Sequence, residues 1–245
     1  MKSQVIVLIP ARFDSSRFPG KVLVPINGKA MVLHVLEKAL AVFNNVFVAT
    51  DDKRIAEVVE SDGGQAILTG HHHLSGTDRC AEAIEKVSMN LESEAIVINL
   101  QGDEPYIPSE LITQLAAVFQ NRDIEIATLI HPISTEKDVM NPNRVKVALD
   151  KYNNALYFSR SPIPYIKKFD PETDQCWFRH IGIYGFRYSV LKEIVTLSQG
   201  RLEQKESLEQ LRWLENGYKI HCIETDYDGF GIDTPEDLEE ALLRS

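Results

Sequence analysis

The sequence predicts an α/β fold in which a mixed, mostly parallel sheet is covered by helices. In the first half of the chain, short apolar runs rich in β-branched residues alternate with helical patterns, and the connections between them are short. This alternation is typical of a parallel sheet with helices on both faces. The apolar runs lack a polar face, which indicates strands that are buried on both sides. We expect right-handed crossovers between them.

The elements of the first half follow from these patterns. Strands are predicted at 5–9, 46–49, 65–69 and 95–100, and helices at 30–42, 52–60, 77–90 and 108–121. Asp51 and Asp52 are candidate caps for the second helix, since short acidic side chains accept the free amide protons of a first turn. Gly63 and Gly64 end that helix.

The second half departs from this alternation. Strands are predicted at 126–132, 145–149, 155–159, 178–186 and 220–224, and helices at 188–196, 207–216 and 235–244. Thr234 is the expected N-cap of the last helix, with Pro235 at its first position. The polar segment 165–176 lacks periodicity and is expected to be an exposed excursion. We interpret residues 1–245 as a single domain whose segment from about 120 to 200 forms an antiparallel subregion that covers a substrate or makes a subunit contact.

Composition excludes several classes of protein. The net charge of −10 disfavours a binder of duplex nucleic acid, which would need a basic face. The three cysteines, Cys80, Cys176 and Cys222, are far apart and form no CxxC pair, so neither a disulfide framework nor a zinc site is expected. No run approaches the ~20 apolar residues of a membrane span. We expect a cytoplasmic protein.

A basic loop follows the first strand. Arg12, Arg17 and Lys21 lie within ten residues of one another, beside Gly20. Ligands bind at the carboxyl ends of strands in open parallel sheets, and arginine and lysine neutralise phosphate oxygens. The loop matches neither GxxxxGK[ST] nor GxGxxG. It predicts a triphosphate site, and the alternative is a basic surface loop with a proline turn.

Two carboxylates follow predicted loop ends elsewhere in the chain. Asp103 emerges with Glu104 after the buried strand at 95–100, and Asp233 precedes the cap of the last helix without a capping role of its own. Mg²⁺ prefers one or two carboxylates together with phosphate and water oxygens. Joined to a triphosphate loop, the two acids predict a metal-assisted site. Taken alone, each also fits an ordinary surface turn.

Two further patterns are less specific. On the predicted strand 178–186, His180, Gly182 and Tyr184 share one face and Ile181 and Ile183 the other. This arrangement suits a pocket wall or a half-exposed strand. The run 71–73 consists of three histidines. Without a further ligand pattern, a solvated loop is favoured over a metal tract.

Several motifs together resemble one known family. They read IPARFDSSRFPGKVL, SGTDR, NLQGDEP, NPNRVKVALD, ALYFSRSPIP, RHIGIYGFR, ESLEQLRWLENG and GIDTPEDLE, and they run in order from about residue 5 to residue 240. The sequence is similar to the 3-deoxy-manno-octulosonate (KDO) cytidylyltransferases. The departures from the family pattern, Phe13, Phe18 and Asp78, keep bulk or charge.

The resemblance implies a Rossmann-like nucleotidyltransferase, working as a homodimer, that converts CTP and KDO into CMP-KDO and diphosphate for lipopolysaccharide biosynthesis with Mg²⁺. It implies a nucleotide-binding group, the nucleotide group, made up of Pro10, Ala11, Arg12, Lys21, Ser75, Arg79 and Gln101. Within this group, Arg12 and Lys21 are expected to bind the triphosphate. Catalysis is assigned to Lys21, Asp103, Asp233 and Arg12, and metal binding to Asp103 and Asp233. The implied sugar-acid group comprises Arg160, His180, Tyr184, Glu209 and Gln210.

Three alternatives stay open from the sequence. The same chemistry could act on 8-amino-KDO or a nonulosonate. A non-catalytic nucleotide-binding protein is disfavoured because Lys21, Asp103 and Asp233 are all present. A scaffold role predicts no thermal stabilisation by CTP.

Overall fold

The computed structural model describes residues 4–14, 18–73, 75–87, 90–167 and 176–244. The strands in these ranges are β1 Val5–Ala11, β2 Pro25–Ile26, β3 Lys29–Ala30, β4 Val46–Thr50, β5 Ala66–Leu68, β6 Ile96–Asn99, β7 Ile126–Pro132, β8 Lys146–Leu149, β9 Ala155–Ser159, β10 Phe178–Arg187 and β11 Ile220–Glu224. The α-helices are α1 Met31–Leu40, α2 Lys53–Ser61, α3 Gly76–Lys86, α4 Ser109–Ala117, α5 Glu136–Met140, α6 Tyr188–Ile194, α7 Arg201–Glu206, α8 Gln210–Glu215 and α9 Pro235–Arg244.

Nine of these strands share one sheet, whose main path runs β11-β7-β10-β6-β1-β4-β5. β1 pairs in parallel with β4 and β6, β4 with β5, and β11 with β7. β10 runs antiparallel to β6, β7 and β8, and β8 also pairs with β9. The predicted mixed, mostly parallel sheet is confirmed, and its antiparallel part is formed by β7 to β10.

Helices cover both faces of this sheet, as the alternation predicts. Successive residues of a strand point to opposite faces. Val7 and Ile9 of β1 pack in one apolar cluster with residues of α1 and α4, while Ile6 and Leu8 pack in another with residues of α3 and α6. All four side chains are fully buried. This explains why the β1 sequence is apolar throughout.

Some elements differ from the prediction. The helix expected at 207–216 is the shorter α8, and α7, which precedes that range, was not predicted. Ser207 is the C-cap of α7, and its left-handed backbone, with φ 53°, cannot belong to an α-helix. The β2–β3 hairpin and α5 were not predicted. Most of the expected excursion at 165–176, namely 168–175, lies outside the described residues, as do 88–89 of the predicted helix 77–90.

Two expectations concern membrane spans and thiols. None of the helices in the described part of the chain combines the length and hydropathy that a bilayer crossing requires. Cys80 and Cys222 are free thiols buried in the core.

Candidate functional site

Lys21 is placed by a tight turn after β1. Gly20 has φ 71°, and its amide donates to the carbonyl of Phe13 at 2.8 Å. A Cβ on Gly20 would lie 3.1 Å from the Phe13 ring, so both the positive φ and the close approach favour glycine. A 3₁₀ turn, Lys21–Leu23, starts directly after it and turns the Lys21 side chain into the protein. Arg17 of the same loop lies outside the described residues.

The Lys21 ammonium joins the two predicted metal-binding carboxylates. Its Nζ lies 2.6 Å from Asp103 Oδ2 and 2.7 Å from Asp233 Oδ1. Burial lowers the pKa of Lys21, but attraction and hydrogen bonding by Asp103 and then Asp233 outweigh burial, so the pKa is raised. The lysine is therefore charged at neutral pH. Residues far apart in sequence thus meet at one point beside the carboxyl ends of β1 and β6.

A buried glutamate holds the two acidic loops together. Glu104 Oε2 accepts hydrogen bonds from the Tyr227 hydroxyl at 2.8 Å and the Phe230 amide at 3.1 Å. The Ile232 amide donates to the Asp103 carbonyl at 2.9 Å. Burial, followed by the charge of Asp103, raises the pKa of Glu104 to about 7. Glu104 therefore sets the distance between Asp103 and the segment that carries Asp233.

An arginine fixes the far side of the same segment. Arg179 of β10 donates to the Gly229 carbonyl at 2.9 Å and to Asp228 Oδ1 at 3.1 Å. No role was predicted for Arg179, and Glu104 was named only as the acidic neighbour of Asp103. Nothing local in the sequence signals that Glu104 is buried, because its partners lie more than 120 residues away.

The donor set at this point fits Mg²⁺. Asp103 and Asp233 come from separate loops and already meet around one cation, the Lys21 ammonium. Both side chains remain partly exposed, at 27% and 45%, which leaves room for water and phosphate oxygens. A hard divalent cation takes carboxylate, water and phosphate oxygens in this way.

The last helix begins as expected, with Thr234 and not Asp233 as its N-cap. The Asp237 amide donates to Thr234 Oγ1 at 3.2 Å, and Asp237 Oδ2 accepts from the amides of Thr234 and Asp233. Thr234 and Asp237 cap the helix reciprocally. The Asp233 carboxylate is thereby left to face Lys21.

Residues of the nucleotide group converge at the end of β1. A Cβ on Gly76 would lie 3.2 Å from Pro10 Cγ, and one on Gly102 would lie 3.0 Å from the Pro10 carbonyl oxygen. The two glycines therefore allow the start of α3 and the loop after β6 to pack against Pro10. This packing brings Ser75, the N-cap of α3, and Gln101 to the same end of the sheet as Pro10.

Arg79 and Arg12 occupy different environments. Arg79 is buried, and it donates to Asp51 Oδ2 at 2.7 Å and to Thr69 Oγ1 at 2.6 Å. Of the two capping candidates, Asp52 caps α2 through the Arg54 amide, so the expectation was right for Asp52 and wrong for Asp51. Arg12 is exposed directly after β1.

Glu209 of the sugar-acid group connects to the nucleotide group. Its carboxylate accepts hydrogen bonds from Ser75 Oγ and Thr77 Oγ1, both at 2.8 Å. Burial raises the pKa of Glu209 to about 7. A chain of polar contacts continues from Thr77 to Asn99, and from Asn99 to Gln101. Gln210 follows Glu209 and is buried.

His180 and Tyr184 share one face of β10, as predicted. Their ring centroids are 5.3 Å apart, and a bulge lies between Ile181 and Tyr184. Ile181 and Ile183 pack into the core on the opposite face of the sheet. Burial, followed by the charge of Arg179, lowers the pKa of His180 to about 3, so the ring is neutral. The buried Tyr184 hydroxyl has no hydrogen-bond partner in the described part of the chain.

Arg160 is held by main-chain oxygens rather than by an acid. Its guanidinium donates to the carbonyls of Glu206 at 2.8 Å, Pro142 at 3.1 Å and Ser207 at 3.4 Å. No hydrogen bond or ion pair among the described residues joins Arg160 to the rest of the sugar-acid group. Within the described ranges, no carboxylate forms an ion pair with the Arg160 guanidinium.

The histidine run at 71–73 only partly fits the expected solvated loop. His71 and His72 are exposed, but His73 Nε2 contacts Glu82 Oε2 and its side chain is 10% exposed. For His73 the expectation was wrong, because α3 supplies a carboxylate that the local sequence did not reveal.

Comparison with known proteins places this chain in a family. A family model described as Cytidylyltransferase matches residues 6–220. The 3-deoxy-manno-octulosonate cytidylyltransferase of Thermodesulfovibrio yellowstonii is 52% identical over 246 residues, with 96% of each chain covered. The chain belongs to the 3-deoxy-manno-octulosonate cytidylyltransferase family. A second relative of that name, from Parabacteroides distasonis, is 49% identical and covers 97% of this chain and 96% of its own.

A solved structure of the same family supports the placement. CMP:2-keto-3-deoxy-manno-octonic acid synthetase, complexed with CTP, superposes with a TM-score of 0.90 at 41% identity. The match covers 99% of this chain and 98% of that one. The nucleotidyltransferase fold implied by the resemblance is confirmed.

Proposed function

We propose that the chain transfers the cytidylyl group of CTP to 3-deoxy-manno-octulosonate and releases diphosphate, which supplies the activated sugar for lipopolysaccharide biosynthesis. The observation that carries this proposal is the meeting of Lys21, Asp103 and Asp233 beside the carboxyl ends of β1 and β6. That position suits a nucleoside triphosphate with its metal. The names of the close relatives support the choice of CTP and of the sugar acid.

The nucleotide half of the reaction depends on positioning and charge. Arg12 and Lys21 neutralise phosphate oxygens, while Pro10, Ala11, Ser75, Arg79 and Gln101 surround the cytosine and ribose. The anomeric hydroxyl of the sugar acid attacks the α-phosphorus in line, and diphosphate leaves. Asp103 and Asp233 would hold Mg²⁺, which would supply charge neutralisation and Lewis acidity toward the attacking hydroxyl. The protein's own contribution is to fix the two reactants in this geometry.

The sugar half of the site is proposed at the antiparallel part of the sheet. The buried Tyr184 hydroxyl has no hydrogen-bond partner within the described ranges and suits a sugar hydroxyl. Neutral His180 and Gln210 offer further donors and acceptors. Arg160 is the cation for the sugar carboxylate, since no acid neutralises its guanidinium among the described residues. Glu209 links this half to Ser75.

We also propose that the protein is a cytoplasmic homodimer. CTP is a cytoplasmic metabolite, and the exposed Leu156 on edge strand β9, near the exposed Tyr152, offers an apolar surface for a second copy. Sedimentation of the wild type and of Leu156→Glu tests the dimer. A wild-type monomer at micromolar concentration contradicts it.

A substrate panel with one variant tests the activity. Diphosphate release is measured with CTP or UTP against KDO, 8-amino-KDO and sialic acid, and the pair CTP and KDO should be fastest. Asp103→Asn should lose turnover by about a hundredfold or more while the circular dichroism spectrum and Tm stay near wild type. Asp123→Asn, at an exposed loop position, is the matched control. A near-normal rate for Asp103→Asn at saturating Mg²⁺, or a preference for sialic acid, contradicts the proposal.

A further inference from the structure

Two adjacent histidines and a glutamate converge beside α3, outside the residues assigned to the reaction. One ligand atom from each of His72, His73 and Glu82 lies within 4.8 Å of the other two. The two imidazole rings lie 4.4 Å apart between centroids. We call these three residues the histidine–glutamate cluster. The proposed transfer reaction gives it no role.

The donors suit a borderline divalent cation. The Glu82 carboxylate forms an ion pair with Lys86 and accepts from the Gly70 amide, so it supplies anionic oxygen donors. Two imidazoles and one carboxylate form a common Zn²⁺ ligand set, whereas Mg²⁺ prefers oxygen donors alone.

The fold positions these donors before any cation arrives. The Gly70 amide donates to both Glu82 oxygens, at 3.2 and 3.0 Å, and so fixes the carboxylate toward the loop. The His72 ring lies directly over Gly70, where a Cβ would be 2.5 Å from ring atoms. Glycine at 70 therefore lets the His72 ring pack against the loop backbone, close to His73.

The cluster is open to solvent, and its carboxylate is paired with a lysine that a divalent cation can displace. It lines an open cleft of about 540 Å³, which gives space for water as a fourth ligand. Lys86 Nζ now lies 2.5 Å from Glu82 Oε1 and is about half exposed. Such a pair is weak, so a divalent cation can replace the ammonium as the counter-charge of Glu82.

We propose that His72, His73 and Glu82 bind one Zn²⁺ per chain. The bound cation ties the loop at 70–73 to α3, whose N-cap Ser75 belongs to the nucleotide group. The inference does not depend on the proposed transfer reaction.

Competition with a chromogenic Zn²⁺ chelator tests this site on the full chain carrying no affinity tag. The wild type should bind one equivalent of Zn²⁺ with micromolar affinity, and Zn²⁺ should raise its Tm. His72→Ala and Glu82→Gln should each weaken binding about tenfold or more and remove the Tm shift. His72 is exposed, so its alanine variant should fold normally.

His71→Ala is the matched control, because His71 is exposed in the same run but lies outside the cluster. It should bind Zn²⁺ as the wild type does. Equal weakening in His71→Ala and His72→Ala indicates non-specific capture by the histidine run and overturns the proposal. Absence of one-equivalent binding to the wild type overturns it as well.

Discussion

Replacing Lys21 with methionine should strengthen the binding of a divalent cation to the nucleotide-free protein and at the same time abolish turnover. In the free protein the Lys21 ammonium lies between Asp103 and Asp233, the two carboxylates proposed to hold Mg²⁺. A cation entering without nucleotide must displace this ammonium. When CTP is present, the phosphates offer Lys21 another partner, so metal and nucleotide should bind together.

The size of the effect follows from the two contacts that the cation must break. A hydrogen bond to a charged group contributes about 1.5–3 kcal/mol. Asp233 is 45% exposed, so solvent screening places its contact at or below the lower end of that range. The two contacts together then oppose metal binding by about 3 kcal/mol, using the lower value for each. Each 1.4 kcal/mol changes a dissociation constant about tenfold, so the variant should bind the cation about a hundredfold more tightly.

Mn²⁺ serves as the probe, because electron paramagnetic resonance counts the free ion without any requirement for activity. Lys29→Met is the matched control, since Lys29 also joins two carboxylates, Glu37 at 3.2 Å and Asp62 at 3.6 Å, away from the site. It should leave both Mn²⁺ binding at the site and turnover near wild type. Unchanged or weaker Mn²⁺ binding by Lys21→Met refutes the reasoning that the ammonium competes with the cation.

Three further predictions concern stability and nucleotide binding. Folding raises the pKa of Glu104 from 4.5 to about 7, so between these pH values the folded state binds a proton that the unfolded state does not. As the pH rises from 4.5 to about 7, the unfolding free energy of the wild type should therefore fall by roughly 3 kcal/mol relative to that of Glu104→Gln. Unfolding free energies from urea denaturation that run parallel for the two proteins across this pH range contradict the prediction. Arg212 binds Glu203 through two hydrogen bonds of 2.8 and 2.6 Å, and Arg212→Ala leaves the Glu203 carboxylate buried without its cation. The variant should lower the unfolding free energy by about 3–5 kcal/mol. A urea midpoint close to that of the wild type contradicts a stabilising role for this ion pair. Gly102→Ala places a Cβ 3.0 Å from the Pro10 carbonyl oxygen and should raise the KM for CTP several-fold at a stability cost of about 1 kcal/mol, whereas an unchanged KM shows that the loop adapts.

The local patterns of the chain were enough to predict most strands and several site residues. Buried strands read as apolar runs because both faces of β1 and β6 pack against helices. Asp103 and Asp233 were identified because an acid directly after a strand or before a helix cap stands out against its neighbours. Ser207 shows the limit of such patterns, since the helix predicted from residue 207 begins only at Gln210, after the left-handed Ser207 that ends α7.

Local sequence patterns did not predict contacts between residues that are far apart in the chain. The pairing of Arg79 with Asp51 and the hydrogen bonds from Ser75 to Glu209 depend on which strands lie next to one another. In the sequence Glu104 is only the acidic neighbour of Asp103, but its partners are supplied by a segment near the other end of the chain. Burial and charge pairing decide its protonation, and neither is a property of the local sequence.

The sequence by itself determined the class of fold, the basic loop with Lys21 and the two acids at loop ends, because periodicity and residue chemistry are local properties. Only the tertiary structure decided that Lys21 lies between Asp103 and Asp233, 82 and 212 residues away. The physical reason is that the order of strands in the sheet, and not the order of residues in the chain, sets which charges neutralise one another.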